Sequence, residues 1–333
     1  MTGADSMEAS FSRRKLVAPT RMRELMQRSD LRGALQLGSH FGAIVVTGVA
    51  LWTLWGTWWT VPLFMMHGVL LNFLYAGQHE LSHETVFRTK WLNEAFGRLI
   101  GFLMIFPRDF DKIQHWAHHQ HTQNWDKDGE LVREPYTLRS YLLWFWGPTY
   151  WYSRVARIVR FCRGVVIEPY IREGEHAKVI REGRIHAALY AAIAVVSLIS
   201  GSWAAVILWI GPMVVMKPVH QLQNTIEHLG LSHKDDILEN TRSTRTNAVM
   251  RWLCWQMPYH TAHHTFPSVP FWQLANLDAE IRNSGAVPYK MGWIEFQIEV
   301  LRKLASKSED EYPYDEVWIV PRANGGTQRI EAA

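Results

Sequence analysis

The chain has 333 residues, of which 48% are hydrophobic and 17 are Trp, with a formal net charge of +4 and a mean hydropathy of −0.13. That length supports a sizeable core in one or two domains, and the modest charge, with no long Lys/Arg run among aromatics, excludes nucleic acid as a partner. Cys162 and Cys254 stand far apart with no C-x-x-C, which excludes a disulfide framework and a cysteine-based zinc or iron–sulfur site.

Residues 1–32 make a polar segment with Arg13, Arg14, Lys15, Arg21, Arg23, Arg28 and Arg32. Its start reads as disordered and its end as an interfacial helix. Met1–Ser10 is polar and no short apolar core with a cleavage site follows, so no signal peptide is expected. From Gly33 to Val86 there is no Lys or Arg, and the first acidic residue is Glu80. This stretch can hold two membrane helices, 38–57 and 61–80, with a tight turn at Gly56–Pro62 anchored by Trp58 and Trp59. Residues 88–184 are mixed and basic; Gly97–Pro107 and Tyr141–Tyr152 read as interfacial or re-entrant helices. A second uncharged stretch, Ile185 to Met216, extends into two further crossings at 180–199 and 203–225. Residues 226–305 are polar again, and 306–333 form a polar tail.

The expected fold is an all-α integral membrane protein: four transmembrane helices in two hairpins, interfacial helices and a cytoplasmic helical cap, within a domain of residues 33–305. Neither hairpin turn contains Lys or Arg, whereas the N-terminal, middle and C-terminal segments are rich in them. The positive-inside bias therefore puts all three segments on the cytoplasmic face, of a bacterial inner membrane as we read it.

Histidine clusters fall in or beside those segments. The first is His79-Glu80-Leu81-Ser82-His83, whose rings share one helix face; it also matches the H-E-x-x-H zinc-protease pattern, with Glu80 as general base. The second is His115-Trp116-Ala117-His118-His119, the third the pair Asn224 and His228 one turn apart, and the fourth His260, His263 and His264. Nine of the 16 histidines lie in these four places. A single membrane-end histidine is most often structural, and an i, i+4 pair arises by chance; two H-x-x-H-H clusters together with the others point to metal. His40, His67, His176, His186, His220 and His233 fit no cluster and take a structural reading, with His121 and His220 the best candidates to support the ligands.

Nine imidazoles exceed what one catalytic zinc uses, about three protein ligands, so two ions are the natural count. Zinc has no redox chemistry, while imidazole also suits iron and copper. Neutral imidazoles leave the ions' charge uncompensated, and carboxylates on the outer ring nitrogens would help and would fix the tautomers. Glu80, Glu227, Asp109, Asp111, Asp126 and Asp128 are placed for that in the sequence.

With these motifs the sequence resembles the membrane fatty acid desaturase family, part of a larger di-iron group with alkane hydroxylases, acyl hydroxylases and carotenoid ketolases. The likeness covers most of residues 35–285. The three boxes are His79–His83, His115–His119 and His260–His264, and Asn224–His228 matches a further N-x-x-x-H ligand motif. The run His264-Thr265-Phe266-Pro267, then Val269-Pro270, is similar to the family's continuation of its third box. The resemblance implies two irons held by His79, His83, His115, His118, His119, His228, His260, His263 and His264, with Asn224 acting through a water. It implies O2 as co-substrate and a lipid or fatty acyl substrate. The first box has the H-x3-H spacing of acyl-lipid enzymes, not the H-x4-H of stearoyl-CoA enzymes, which weighs against an acyl-CoA. There is no H-P-G-G and no rubredoxin-like cysteine pair, so electrons are expected from a separate ferredoxin or cytochrome b5 type donor, steered by basic residues.

The reading is O2-dependent introduction of a C=C bond into an acyl chain, with Trp116, Trp144, Trp146 and Trp255 as candidate walls of its tunnel. One alternative is a hydroxylase or monooxygenase on the same scaffold acting on an acyl chain, an alkane or a small molecule. Others are an intramembrane zinc protease using His79, Glu80 and His83, and a non-catalytic chain with a degenerate site.

Overall fold

The computed structural model describes residues 16–131, 136–306 and 319. The expected disordered start and nearly all of the 306–333 tail lie outside these residues. A short helix, α1 (Pro19–Leu25), leads into α2 (Asp30–Thr53), which starts where the Ser29 side chain accepts the Arg32 N–H. Buried positions Gly33, Leu37, His40, Thr47, Gly48 and Leu51 recur at helical spacing on one face of α2, while Leu35, Val45, Val46, Val49 and Trp52 are exposed. Apolar side chains facing outward on a helix of 24 residues mark a surface made for lipid. The turn to α3 (Thr60–Ser82) passes through Gly56 at φ +85° and carries Trp58 and Trp59, stacked at 3.7 Å and both exposed.

Helix α3 is half lipid-facing and half core. Its N-terminal part is largely exposed, and from Leu70 onward nearly every residue is buried. The helices α4 (Lys90–Leu103) and α5 (Arg108–Gln120) follow, then α6 (Leu138–Phe145) and α7 (Pro148–Cys162), hinged at Gly147 with φ +86°. A further long helix, α8 (Glu173–Ser200), has 28 residues and turns at Gly201. Among the described residues, α2, α3 and α8 are long and apolar enough to cross a membrane. The chain is therefore a membrane protein.

The expected fourth crossing at 203–225 is not one helix. A π segment (Val206–Ile210) runs into α9 (Gly211–Val215), and the helix breaks at Met216 before α10 (Lys217–Ile226). Pro212 and Pro218 remove two backbone donors from this run, which is why it does not stay regular. The segment packs closely on α3: a Cβ on Gly68 would lie 2.3 Å from the Pro212 carbonyl oxygen, an approach only glycine permits.

The cap contains α11 (Ile237–Asn240), α12 (Ala248–Leu253), α13 (His260–Thr265), α14 (Leu274–Asn283) and α15 (Trp293–Ser306). It also holds a two-stranded parallel sheet, β1 (Arg242–Arg245) with β2 (Tyr289–Gly292), which the all-α expectation did not include; Arg242 pairs with Tyr289 and Arg245 with Gly292. One apolar core joins the buried half of α3 to the cap through Phe73, Leu81, Phe110, Trp255 and Leu274.

Candidate metal centre

Helix α5, which carries His115, His118 and His119, begins at Pro107 with no capping side chain of its own. The carboxylate of Glu182, from α8, accepts the N–H groups of Arg108 at 3.0 Å and Asp109 at 2.6 Å. A helix long and apolar enough to span a membrane thus supplies acceptors for the unpaired N–H groups of the first turn of α5. Arg98 ties the two together, 2.9 Å from Glu182 and 3.2 Å from Asp109. Helix α3 is locked to the same turn: Gln78 donates to the Phe106 carbonyl, Ser82 to Asp111, and fully buried Arg108 to Ser82 and the Leu81 carbonyl. His79 and His83 are fixed relative to α5 in this way.

The third box is approached through two consecutive non-glycine residues with positive φ, Trp255 at 50° and Gln256 at 62°. Such positions cost on the order of 1–3 kcal/mol each and persist where the surroundings over-determine them. Here the buried Trp255 indole packs against Gly77, where a Cβ would lie 2.8 Å from the ring, and donates its N–H to His40. The chain then enters α13, with His260, His263 and His264 all buried.

Two groups of ring nitrogens result. His79, His83, His115, His119 and His263 bring one nitrogen each within 4.8 Å of one another, and so do His118, His228 and His264. In the first group Nε2 of His79 is 2.8 Å from that of His263, His115 2.7 Å from His83, His119 3.0 Å from His115 and 3.2 Å from His263. His260 adjoins the second group, its Nε2 2.7 Å from that of His228.

The outer nitrogens decide what these contacts are. The Nδ1 of His228 faces the Asn240 carbonyl at 2.9 Å, an acceptor only, so Nδ1 carries the hydrogen and Nε2 is a bare lone pair. His115 Nδ1 meets Glu130 at 2.9 Å and His118 Nδ1 meets Asp128 at 2.8 Å. Inward lone pairs this close repel unless a cation lies among them, and His264 Nε2 is buried with no hydrogen-bond partner. Nitrogens bound at about 2.1 Å to one ion lie roughly 2.9–3.4 Å apart, close to the spacing seen. The donor set therefore fits metal.

The electrostatics agree. Burial, reinforced by neighbouring rings, holds His119, His260, His263 and His264 well below the ordinary imidazole range, in the neutral form a ligand needs. His118 is the exception: burial lowers it, but Asp128 and Glu130 outweigh that and raise it to about 9. Glu130 is buried, which raises it, yet His118 and His115 bring it down to about 2. Glu227 is pushed up to about 8 by burial.

Of the carboxylates picked out from sequence, Asp128 meets His118, Glu80 lies 3.4 Å from His263 Nδ1 and Glu227 lies 3.6 Å from His260 Nδ1. Asp126 does not reach a ring: it is exposed, its N–H held by the Asn124 side chain. Asp109 and Asp111 are spent on Arg98 and Ser82. Glu130, which sequence reasoning missed, stands on His115. Glu80 lies fully buried at an outer nitrogen, not on the inner side where a protease base would face a metal-bound water. Asn224 is half-buried and lines a cavity of about 720 Å³ that also reaches Glu130, Tyr75 and Trp144. Among the tryptophans, only Trp144 lines that cavity; Trp116 stacks edge-on at 5.2 Å from His83, Trp146 is exposed and Trp255 is core.

The family model for fatty acid desaturases matches residues 54–296. This chain belongs to the fatty acid desaturase family. Among similar proteins, an sn-1 oleoyl-lipid 12-desaturase of Picosynechococcus sp. is 22% identical over 285 residues, 79% of this chain and 80% of its own length. An sn-1 oleoyl-lipid 12-desaturase of Arthrospira platensis is 23% identical over 65% of this chain and 67% of its own. A shorter match, 32% identical over 22% of this chain and 20% of the relative, is to an sn-1 acyl-lipid omega-3 desaturase (ferredoxin) of Nostoc sp.. The chain is thus a fatty acyl desaturase by family, an oxidoreductase of the membrane, with a buried histidine cluster suited to metal.

Proposed function

We propose that the protein removes two hydrogens from neighbouring methylenes of an acyl chain esterified in a membrane lipid, with O2 as oxidant. The observation that carries this is the convergence of inward-facing Nε2 atoms from both the membrane helix α3 and the cap. His79, His83, His115, His119 and His263 would hold one iron; His118, His228, His260 and His264 would hold the other, with Asn224 acting through a water. When bound, the irons and O2 supply the oxidising power for C–H cleavage. Asp128, Glu130 and the Asn240 carbonyl hold the imidazoles in the tautomer that leaves Nε2 free. Glu80 and Glu227 lie beside the outer nitrogens of His263 and His260 and offset the ions' charge. Tyr75, Phe106 and Trp144, on the cavity wall, would position the methylenes and keep water out.

The acyl-lipid substrate follows from the names of the relatives and the H-x3-H first box. Electrons come from a separate protein of ferredoxin or cytochrome b5 type, the former named for the Nostoc relative. The apolar Val206–Val215 run, continued through α10, completes a second hairpin, and the N-terminus, C-terminus and site face the cytoplasm of a bacterial inner membrane. The test is expression in a bacterial host without such enzymes and mass spectrometry of its lipids. A new double bond supports the reading; a new hydroxyl retaining 18O from O2 would assign hydroxylation instead.

A further inference from the structure

The cavity beside the histidine groups has a cationic wall that nothing in the metal chemistry uses. Helix α7 turns Tyr150, Ser153, Arg154 and Arg157 into it, residues three or four apart on one face. Arg154 is 4% exposed, and its one direct hydrogen bond among the described residues goes to the Met104 carbonyl at 3.3 Å. A guanidinium has five donors, so most of them are left for the cavity. No carboxylate among the described residues lies within 4.0 Å of Arg154. Arg157 has Glu168 at 3.5 Å from its Nε, without hydrogen-bond geometry, and that carboxylate is shared with Arg160 at 2.5 Å. Burial accordingly pulls Arg157 below its ordinary value.

The acidic groups that face this space are accounted for. Glu168 serves the two arginines, and Glu130, at the metal end, accepts from His115. Aromatic faces take part of the cationic charge: Arg154 lies 3.6 Å over Phe106 and 4.0 Å over Tyr150, and Arg157 lies 4.0 Å over Phe110. The rings leave the planar forks of donors free to bind, and the buried Tyr150 hydroxyl, also on this wall, has no partner. A buried cation with no counter-charge, as Arg154 is here, is costly, and a ligand that brings one would be held strongly. One aromatic ring, Tyr75, separates this wall from the histidines: it lies 6.0 Å from Arg154 and 6.4 Å from His79.

We propose that Arg154, Arg157 and Tyr150 bind an anionic head group, a phosphate ester or a carboxylate, on the amphiphile whose acyl chain is presented to the metal centre. This rests on the desaturase reading for what happens to the chain, not for the binding itself. Full-length protein in detergent would be titrated with oleyl phosphate, oleate and uncharged oleyl alcohol, following quenching of tryptophan fluorescence. The expected result is at least tenfold tighter binding of one or both anions than of the alcohol. Preference for the phosphate assigns a phospholipid head group, and preference for oleate a free fatty acid. Arg157→Gln, at a side chain 15% exposed, should abolish the anion preference while leaving alcohol binding unchanged. Arg154→Lys, which keeps the charge and loses the fork, should reduce it partially. Equal binding of all three probes by the wild-type protein overturns the proposal, as does an anion preference that survives Arg157→Gln. The desaturase reading fails on a different observation, the absence of new double bonds in host lipids, so the two failures can be told apart.

Discussion

The two histidine groups share one chemistry but rest on different parts of the molecule. The first takes His79 and His83 from α3, a helix long and apolar enough to cross a membrane, and the others from α5 and α13, so it exists only when the three are in register. The second takes His118, His228 and His264 from α5, the segment after α10 and α13, braced by Asp128 and the Asn240 carbonyl, with no ligand from α3. One group therefore reports on docking of α5 and α13 against α3, and the other on the packing of α5, α13 and the segment after α10 on one another.

Replacing His263 should have the largest effect, because its Nε2 touches both the α3 and the α5 contribution to the first group. His263→Ala is expected to abolish turnover with membrane insertion intact; an active variant would remove the first group from the reaction. His228→Ala should spare the first group and empty the second, so that iron per chain falls from two towards one with loss of turnover. If iron stayed at two, the second group would need another ligand set.

The carboxylates sharpen the contrast further. Glu130→Gln and Asp128→Asn should each weaken metal retention by about 10–100-fold, the usual cost of losing a group that orients a ligating histidine. Asp126→Asn should leave retention unchanged, and dialysis against a chelator would compare the three. The smallest effect on chemistry should come from Gly68→Ala, whose methyl must push back the Pro212 backbone. About 1–3 kcal/mol of destabilisation is expected, read as a lower unfolding temperature, with activity of the folded fraction retained.

Much of this was legible in the sequence, for physical reasons that differ by region. The first hairpin is written as a charge-free stretch with Trp at its turn, and it folds as α2 and α3. The histidine boxes are legible because helical spacing alone puts i and i+4 rings on one face. The breaks in the expected fourth crossing were not legible: hydropathy registers apolarity but not the missing N–H groups of Pro212 and Pro218, which divide that run. The β1–β2 pair was hidden because Arg242–Arg245 is polar, buried by hydrogen bonds from Arg242 to the Ile226 and Ile319 carbonyls rather than by an apolar pattern. Glu130 was overlooked for a related reason. Between Asn124 and Leu131 successive turns fold the chain back on α5, and distance along the sequence does not say which acid ends against a ring.

The central claim is that nine imidazoles, from α3 and from the segments packed against it, hold two redox-active ions. Metal analysis of protein purified from iron-replete cells tests it most directly. The account predicts about two irons and negligible zinc per chain, both lost together with turnover on chelation. One zinc per chain with little iron would contradict it.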